Sequence, residues 1–574
     1  MRIAPRVLLL AAINALPLVA AAATVSVSVD FHADRHPINP AIFGVSGSPD
    51  LARVAYPVVR WGGNATTRYN WQADVHNTAA DWFFMNIPDG SGSPSASSVE
   101  ALVATTLGAG SQPLVTISTI GWIPKSNQQK LWGYSVAAYG PQLQTECSYF
   151  GANPPAWCTA DAGNGRCSPA QNHTGHCSSD GYIIGNSPTD TSIAVDGQNA
   201  AAWVAHLQQR FGTSGNGGVR YYALDNEPML WNSTHRDVHP QALTYDEIWQ
   251  RTIEYATAIK AQDPSAKILG PVTWGYCDLF GSAADNCLDG SDRAAHGGTP
   301  FVKWYLQQVC TYQAQHGIRL VDALDLHYYP QGQGVVDFSD PPNGSESTDV
   351  SARRLRSLKE LYDANWISES WLSDLGNSEP WHYSRPNLIP RVRAWIDSEC
   401  PEIELSISEY NWGADNGASS ALAQAEALAI FAREGVDMAA RWIAPSANSL
   451  VERAFRLYLN FDGAGSRVKG DSVRAMSANS DVLGAYAVSD HGTRNSILLF
   501  NKATLTTTAA INLGTHLIGA WKLYQFSATN DLAQVASGNI DGSTIDIGNL
   551  PARSASLLVL PENDQIFADS FDPL

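Results

Sequence analysis

The chain has 574 residues, with 36 Lys+Arg against 55 Asp+Glu and a net charge of −19. That balance argues against a binder of nucleic-acid phosphates, which needs a concentrated basic face, and against docking on an anionic membrane. Hydrophobic residues are 44% and charged residues 16%, so a large core can be buried and disorder is excluded.

The N-terminus comes first in chain order. Arg2 and Arg6 precede an apolar stretch over 7–19, and four alanines at 20–23 offer a small-residue cleavage site. Residues 1–23 therefore read as a secretory signal peptide. The stretch is too short to span a bilayer and contains Asn14 and Pro17. No other run reaches the ~18 apolar residues that spanning requires. Export makes disulfides the default state of the eight cysteines at 147, 158, 167, 177, 277, 287, 310 and 400. At least two bridges are expected. Cys277 and Cys287 bracket a short loop and form the best local pair. Pairing among the four cysteines at 147–177 stays open. No C-x-x-C spacing supports a zinc or redox site.

Residues 24–30 (TVSVSVD) alternate strictly, as a strand does, and are expected to join a C-terminal sheet. Eight short apolar runs then follow, at 42–46, 57–63, 114–119, 219–228, 267–274, 323–330, 404–412 and 438–445. Runs of this kind suit strands buried on both faces. Helical patterns lie between several of them. Residues 245–262 place Ile248, Trp249, Ile253, Ala256 and Ile259 on one face, with Thr244 as N-cap, and 418–434 repeat the pattern. Past residue 445 the texture changes to alternating runs at 483–488, 496–501, 521–526 and 556–560. The predicted fold class is α/β: a TIM-like (β/α)8 barrel with an additional antiparallel β-sandwich domain. The barrel is assigned to 41–450 with a Cys-rich insertion at 145–190, and the sandwich to 451–560 with 24–40 as its N-terminal strand. Residues 561–574 form an acidic tail, expected to be disordered. Trp521 is the sole Trp past residue 445, so the sandwich is expected to be structural.

Barrel chemistry sits at the carboxyl ends of strands. The fourth run ends in Asp225-Asn226-Glu227, the sixth in His327-Tyr328-Tyr329, and the seventh in Glu409-Tyr410-Asn411-Trp412. Two rim carboxylates, Glu227 and Glu409, are what retaining glycoside hydrolysis requires, at ~5–5.5 Å. Each short motif alone is weak; their conjunction on strands four, six and seven carries the reading. His327 and Tyr329 are two apart and face the same way. Asn226 suits a sugar 2-hydroxyl, and Arg60 can keep a neighbouring carboxylate ionised. Asp74, Asp225, Asp325 and Glu369 are rival carboxylates that precede strand ends or sit in loops. Trp61, Trp122, Trp231, Trp412 and Trp442 lie at or just past strand ends, where sugar faces stack on such rings.

The words VRWGGNATTRYNW (59–71), DWFFMNIP (81–88), LDNEPMLWNSTHRDVHP (224–240), LDLHYYP (324–330) and ISEYNWG (407–413) resemble glycoside hydrolase family 44. This is a family of secreted endo-β-1,4-glucanases and xyloglucanases. The resemblance implies a TIM-like barrel with a β-sandwich and net retention. Glu227 falls on the acid/base and Glu409 on the nucleophile; strand alternation lets Tyr329 hydrogen-bond that nucleophile and His327 bracket that acid. It implies no cofactor for catalysis, but a calcium ion in some members. Glu146, Asp161 and Asp190 are the hard oxygen donors that could hold one. The partner expected is a β-glucan polysaccharide, met by a secreted monomer that binds no nucleic acid and, after signal cleavage, no membrane. The alternatives are a mannanase, an exo-β-glycosidase, or a non-catalytic polysaccharide-binding protein.

Overall fold

The computed structural model describes residues 23–90, 97–169, 175–285, 287–341, 345–378, 380–490 and 493–561. The expected signal peptide and nearly all of the acidic tail lie outside the described residues. Eight parallel strands close into a barrel: Gly44–Ser46, Val58–Trp61, Gln112–Ile117, Tyr221–Leu224, Lys267–Thr273, Ala323–Tyr328, Glu404–Tyr410 and Met438–Arg441. Seven of the eight predicted runs hold one of them, and the run at 114–119 overlaps Gln112–Ile117, which starts two residues earlier. Strand alternation divides their side chains between lumen and helices. On the sixth and seventh strands Leu324, Leu326, Tyr328, Leu405 and Ile407 join the core under the helices. A smaller cluster that includes Val58, Leu114, Leu269 and Met438 forms a second apolar core.

The helices follow their local chemistry. Thr244 caps Tyr245–Gln262 by accepting from the Glu247 amide at 3.2 Å. Helix Ala418–Arg433 is buried from Ser419 through Ala432. A helix apolar on all sides needs cover on all sides. The barrel covers one side and the C-terminal sheet the other. Glu426, on this helix, takes Lys502 Nζ at 2.9 Å and the Tyr486 hydroxyl at 3.2 Å from that sheet, so the join carries a buried ion pair.

The C-terminal sheet has nine strands among the described residues. Strand Ala23–Asp30 joins it, as the alternation predicts, pairing with Asp471–Ser477 and Thr507–Ser527. The 21-residue strand Thr507–Ser527 runs beside Ala23–Asp30 at one end and Ser554–Leu560 at the other. The sheet thereby folds over an apolar core that includes Val27, Leu499, Leu513 and Leu558. The predicted boundary at 451 is corrected. Leu450–Leu459 is a helix packed on Ala418–Arg433, and the sheet resumes at Asp471. Val451, Ala454, Phe455 and Tyr458 are buried at helical spacing.

All eight cysteines pair: Cys147–Cys158, Cys167–Cys177, Cys277–Cys287 and Cys310–Cys400. The first two staple the insertion. The last ties helix Phe301–His316 to the end of helix Leu388–Glu399.

Glu360 supplies a test of the core. It is fully buried, accepts Tyr328 Oη at 2.7 Å and Ser368 Oγ at 2.6 Å, and burial still pushes its carboxyl up to about 7. A raised carboxyl favours folding below its unfolded value near 4.5 and loses that contribution as pH rises through 7. Urea unfolding from pH 4.5 to 7.5 should show wild type losing on the order of 3 kcal/mol relative to Glu360→Gln.

Candidate active site

Arg60 is the penultimate residue of the second barrel strand and points into the lumen with no exposed side-chain surface. Its Nη1 donates to Glu409 Oε2 at 2.6 Å, and its Nη2 donates to Asn226 Oδ1 at 2.6 Å. Two glycines make room for it. A Cβ on Gly62 would lie 2.4 Å from Arg60 Cζ, and one on Gly63 2.4 Å from the Trp442 ring. Gly63 also has φ 102°, a conformation that costs L side chains strain. Its amide donates to Asn226 Oδ1 at 3.1 Å.

Glu227 follows the fourth strand with φ 51° and ψ 55°, in the left-handed region. Such strain persists when surrounding contacts over-determine it. Asp225, also at positive φ, supplies them: it accepts from Thr119 N at 2.5 Å, Asn226 N at 2.9 Å and Trp231 Nε1 at 3.3 Å. This rival carboxylate is a buried clamp on the turn. Asp74 is likewise buried, taking Tyr69 Oη at 2.7 Å, and Glu369 pairs with Arg356 at 3.1 Å.

Glu409 reaches the lumen through a β-bulge. Leu405 and Ile407 face the helices, so strict alternation would turn Glu409 outward with them. The pairing of strands six and seven slips between Leu326 and His327, and His327 lies opposite Glu409. Ser408 is the extra residue, and the parity change turns Glu409 inward. Tyr329 Oη then donates to Glu409 Oε1 at 2.7 Å, and His327 Nδ1 lies 2.9 Å from Glu227 Oε1. Glu227, His327 and Glu409 present atoms within 4.8 Å of one another. Carboxyl oxygens this close fit the short spacing of a retaining pair rather than the wider one of an inverting pair.

The two carboxyls are driven apart. Burial pushes Glu227 up and the Glu409 charge adds to it, against the pull of His327 and Arg60. Burial would also raise Glu409, but His327, Arg60 and the Tyr329 hydrogen bond outweigh it and hold the carboxyl below its usual range. Tyr329 is itself raised, by burial and the Glu409 charge, and so stays a donor. Both carboxylates open on a cavity of about 620 Å³ that Tyr329 and Trp442 also line.

The other expected site residues divide. Trp442 lines the cavity, its ring 5.9 Å from the Arg60 guanidinium. Trp61, Trp231 and Trp412 are corrected as sugar platforms. Trp61 follows inward-pointing Arg60, so it faces outward and packs edge-on against Tyr69 and Trp203. Trp231 and Trp412 are fully buried, and Trp412 Nε1 donates to Ser357 Oγ at 3.1 Å. Trp122 is half-buried against the core. Sequence reasoning missed Trp274, which ends the fifth predicted run and directly follows that strand, and Leu230, Gln331 and Phe338, which line the cavity from segments beyond the strand ends. It also missed Asp278, a fully buried carboxyl that burial pushes well up and that holds the Trp274 amide at 3.0 Å.

The expected calcium ligands do not fit an ion. Glu146 is spent on Lys130 Nζ, Trp82 Nε1 and the Thr159 amide, at 2.7–2.9 Å. Asp161 takes Ser135 Oγ, Ala137 N and Trp132 Nε1, and Asp190 takes Tyr139 Oη. Among the described residues, the three acids form no group at metal-ligand spacing.

An eight-stranded parallel barrel with two rim carboxyls at this spacing, one raised and one lowered, defines a glycoside hydrolase of retaining geometry. Comparison with known proteins gives the family. The sequence model for glycoside hydrolase family 44 matches residues 75–332. CelM2, a bifunctional glucanase-xylanase from a metagenome library, is 35% identical with a TM-score of 0.84, over 94% of this chain and 99% of that chain. A glycoside hydrolase family 44 endoglucanase from Clostridium acetobutylium ATCC 824 is 27% identical with a TM-score of 0.75, over 94% and 100%. Endoglucanase A of Paenibacillus lautus is 27% identical, over 97% of this chain and 74% of its own length. The chain belongs to glycoside hydrolase family 44 and is an endo-acting enzyme of polysaccharide breakdown.

The Arg60 contact predicts a pH effect. Glu409 is held low in part by Arg60, so removing the guanidinium raises it. In Arg60→Gln the acid limb of kcat/KM should move to higher pH by about 1–3 units. An initial-rate profile on a soluble β-glucan oligosaccharide measures it.

Proposed function

We propose that the enzyme hydrolyses internal β-1,4 linkages of glucan chains such as cellulose derivatives, xyloglucan or mixed-linkage glucan, with net retention. Glu409 attacks the anomeric carbon through a carboxylate oxygen as the glycosidic C–O bond breaks. Glu227 gives its proton to the departing oxygen. Water then attacks the glycosyl-enzyme ester, Glu227 takes a proton from it, and the Glu409 carboxylate leaves. The observation carrying this reading is the pair of carboxylates within 4.8 Å, pushed in opposite directions. Asn226 sits beside the acid with its carbonyl oxygen engaged by Arg60 and Gly63, which fixes the amide's orientation toward a sugar hydroxyl. Trp442 and Trp274 are the aromatic faces for glucose rings in the cleft. The glucan preference is supported by the endoglucanase and glucanase names of the relatives. Export is supported by the four disulfides.

Two substitutions separate the roles. Glu409→Ala should lose activity on every substrate, and azide should restore turnover with an α-glycosyl azide as product. Glu227→Ala should lose about 10²–10⁴-fold in kcat/KM on polymer but far less on an aryl glycoside with an activated leaving group, which needs no proton. Equal losses on both substrates, with folding intact, would reassign the acid. Product analysis on a panel of soluble β-glucans, xylan and mannan tests the substrate. Short oligosaccharides with a rapid fall in viscosity are expected from glucans first, and a preference for mannan would overturn the glucan reading.

A further inference from the structure

Asp325 and Ser408 take no part in the mechanism above, yet both are completely buried beside it. Asp325 lies two residues before His327 on the sixth strand and shares its lumen face. Ser408 is the extra residue of the bulge that turns Glu409 inward. Its Oγ donates to Asp325 Oδ2 at 2.6 Å, and its amide donates to Asp325 Oδ1 at 3.1 Å. His327 Nε2 lies 3.2 Å from the same Oγ, and Nδ1 lies 2.9 Å from Glu227 Oε1. The four side chains form an unbroken line from Asp325 to the acid.

Hydrogen-bond direction along that line has chemical content. A hydroxyl has one proton to give, and a carboxylate at Asp325 can only accept. Ser408 commits its proton to Asp325 and can only accept from His327. His327 then carries its proton on Nε2, and Nδ1 is left as a bare acceptor facing Glu227. We propose that Asp325 and Ser408 are positioning residues: they fix this tautomer of His327, which holds the proton on Glu227 for delivery to the leaving oxygen. The inference rests on Glu227 being the acid/base.

The relay also serves the second half-reaction. Once Glu227 has given up its proton, its carboxylate faces the Nδ1 lone pair. That repulsion strengthens Glu227 as the base that takes a proton from water, and the transfer restores the starting state. The opposite tautomer, with Nδ1–H donating to Glu227, would stabilise the carboxylate and weaken the acid. The groups facing the pair are Arg60, Glu409, Tyr329 and Asp278. Arg60 is the competitor within the relay: its Nη2 lies 3.4 Å from His327 Nε2. The same nitrogen donates to Asn226 at 2.6 Å, and Ser408 lies nearer to Nε2. Glu409 Oε2 lies 3.8 Å from Nδ1 and draws a proton there; the Arg60 charge opposes the imidazolium that would result, and the pull of His327 on the two carboxyls belongs to that protonated form alone.

The test uses the full chain with Ser408→Ala, Ser408→Thr, Asp325→Asn and Glu227→Ala, each checked by thermal unfolding. In Asp325→Asn the amide can donate to Ser408, which then donates to Nε2 and reverses the line. Ser408→Ala and Asp325→Asn should lose on the order of tenfold in kcat/KM on polymer, part of what general-acid catalysis supplies. Loss on the activated aryl glycoside should be several-fold smaller, and the basic limb should move to lower pH. Ser408→Thr, which keeps the hydroxyl, should restore both. The 15N shifts of His327, assigned by comparison with His327→Gln, should report Nε2–H in wild type and Nδ1–H in Asp325→Asn. Nδ1–H in wild type, an unmoved basic limb, or equal losses on both substrates would overturn the relay. If Glu227→Ala itself shows no dependence on leaving group, the acid assignment has failed instead.

Discussion

One buried positive charge serves two buried carboxyls, and the site is organised around that shortage. Arg60 cannot be turned toward water, and it spends one nitrogen on Glu409 and the other on Asn226. Burying two carboxylates beside a single guanidinium would leave one charge uncompensated, at a cost of several kcal/mol. The molecule meets this by keeping a proton on Glu227 while Glu409 stays ionised. The functional asymmetry of acid and nucleophile thus follows from charge balance in a dry lumen.

Holding that arrangement requires local departures from regular structure. The bulge at Ser408 brings Glu409 into line with His327, and the positive φ of Glu227 brings its carboxyl back over the strand end. Gly62 and Gly63 leave the space that the guanidinium and the Trp442 ring fill. Around the site, the outward apolar faces of the barrel strands pack under helices. The C-terminal sheet covers helix Ala418–Arg433, which follows the nucleophile strand. The second domain therefore supports the barrel wall next to Glu409.

Much of this was legible in the sequence because strand parity is a local rule. His327 and Tyr329, two apart, do share the lumen and reach the two carboxyls. The eight strands, the Thr244 cap and the Cys277–Cys287 bridge were readable for the same reason: each depends on neighbours within a few residues. Applying parity to Trp61 would have excluded it as a sugar platform, since it adjoins inward-pointing Arg60, whereas the outward turn of Trp412 depends on the bulge at Ser408. Other features depend on distant chain. The lining by Phe338 comes from an irregular loop, and the bulge at Ser408 is set by pairing with another strand. The insertion acids resembled calcium ligands, but Lys130, Trp82 and Trp132 satisfy them from elsewhere in the fold.

The central claim, that a covalent intermediate forms on Glu409 while Glu227 serves as acid and base, is tested most directly by trapping it. A 2-deoxy-2-fluoro cellooligosaccharide with an activated leaving group slows both half-reactions but slows release of the ester more. The account predicts stoichiometric inactivation, with the added sugar mass found by peptide mapping on Glu409. A label on Glu227 or any other residue, or hydrolysis to the α-anomer with no covalent adduct, would contradict it.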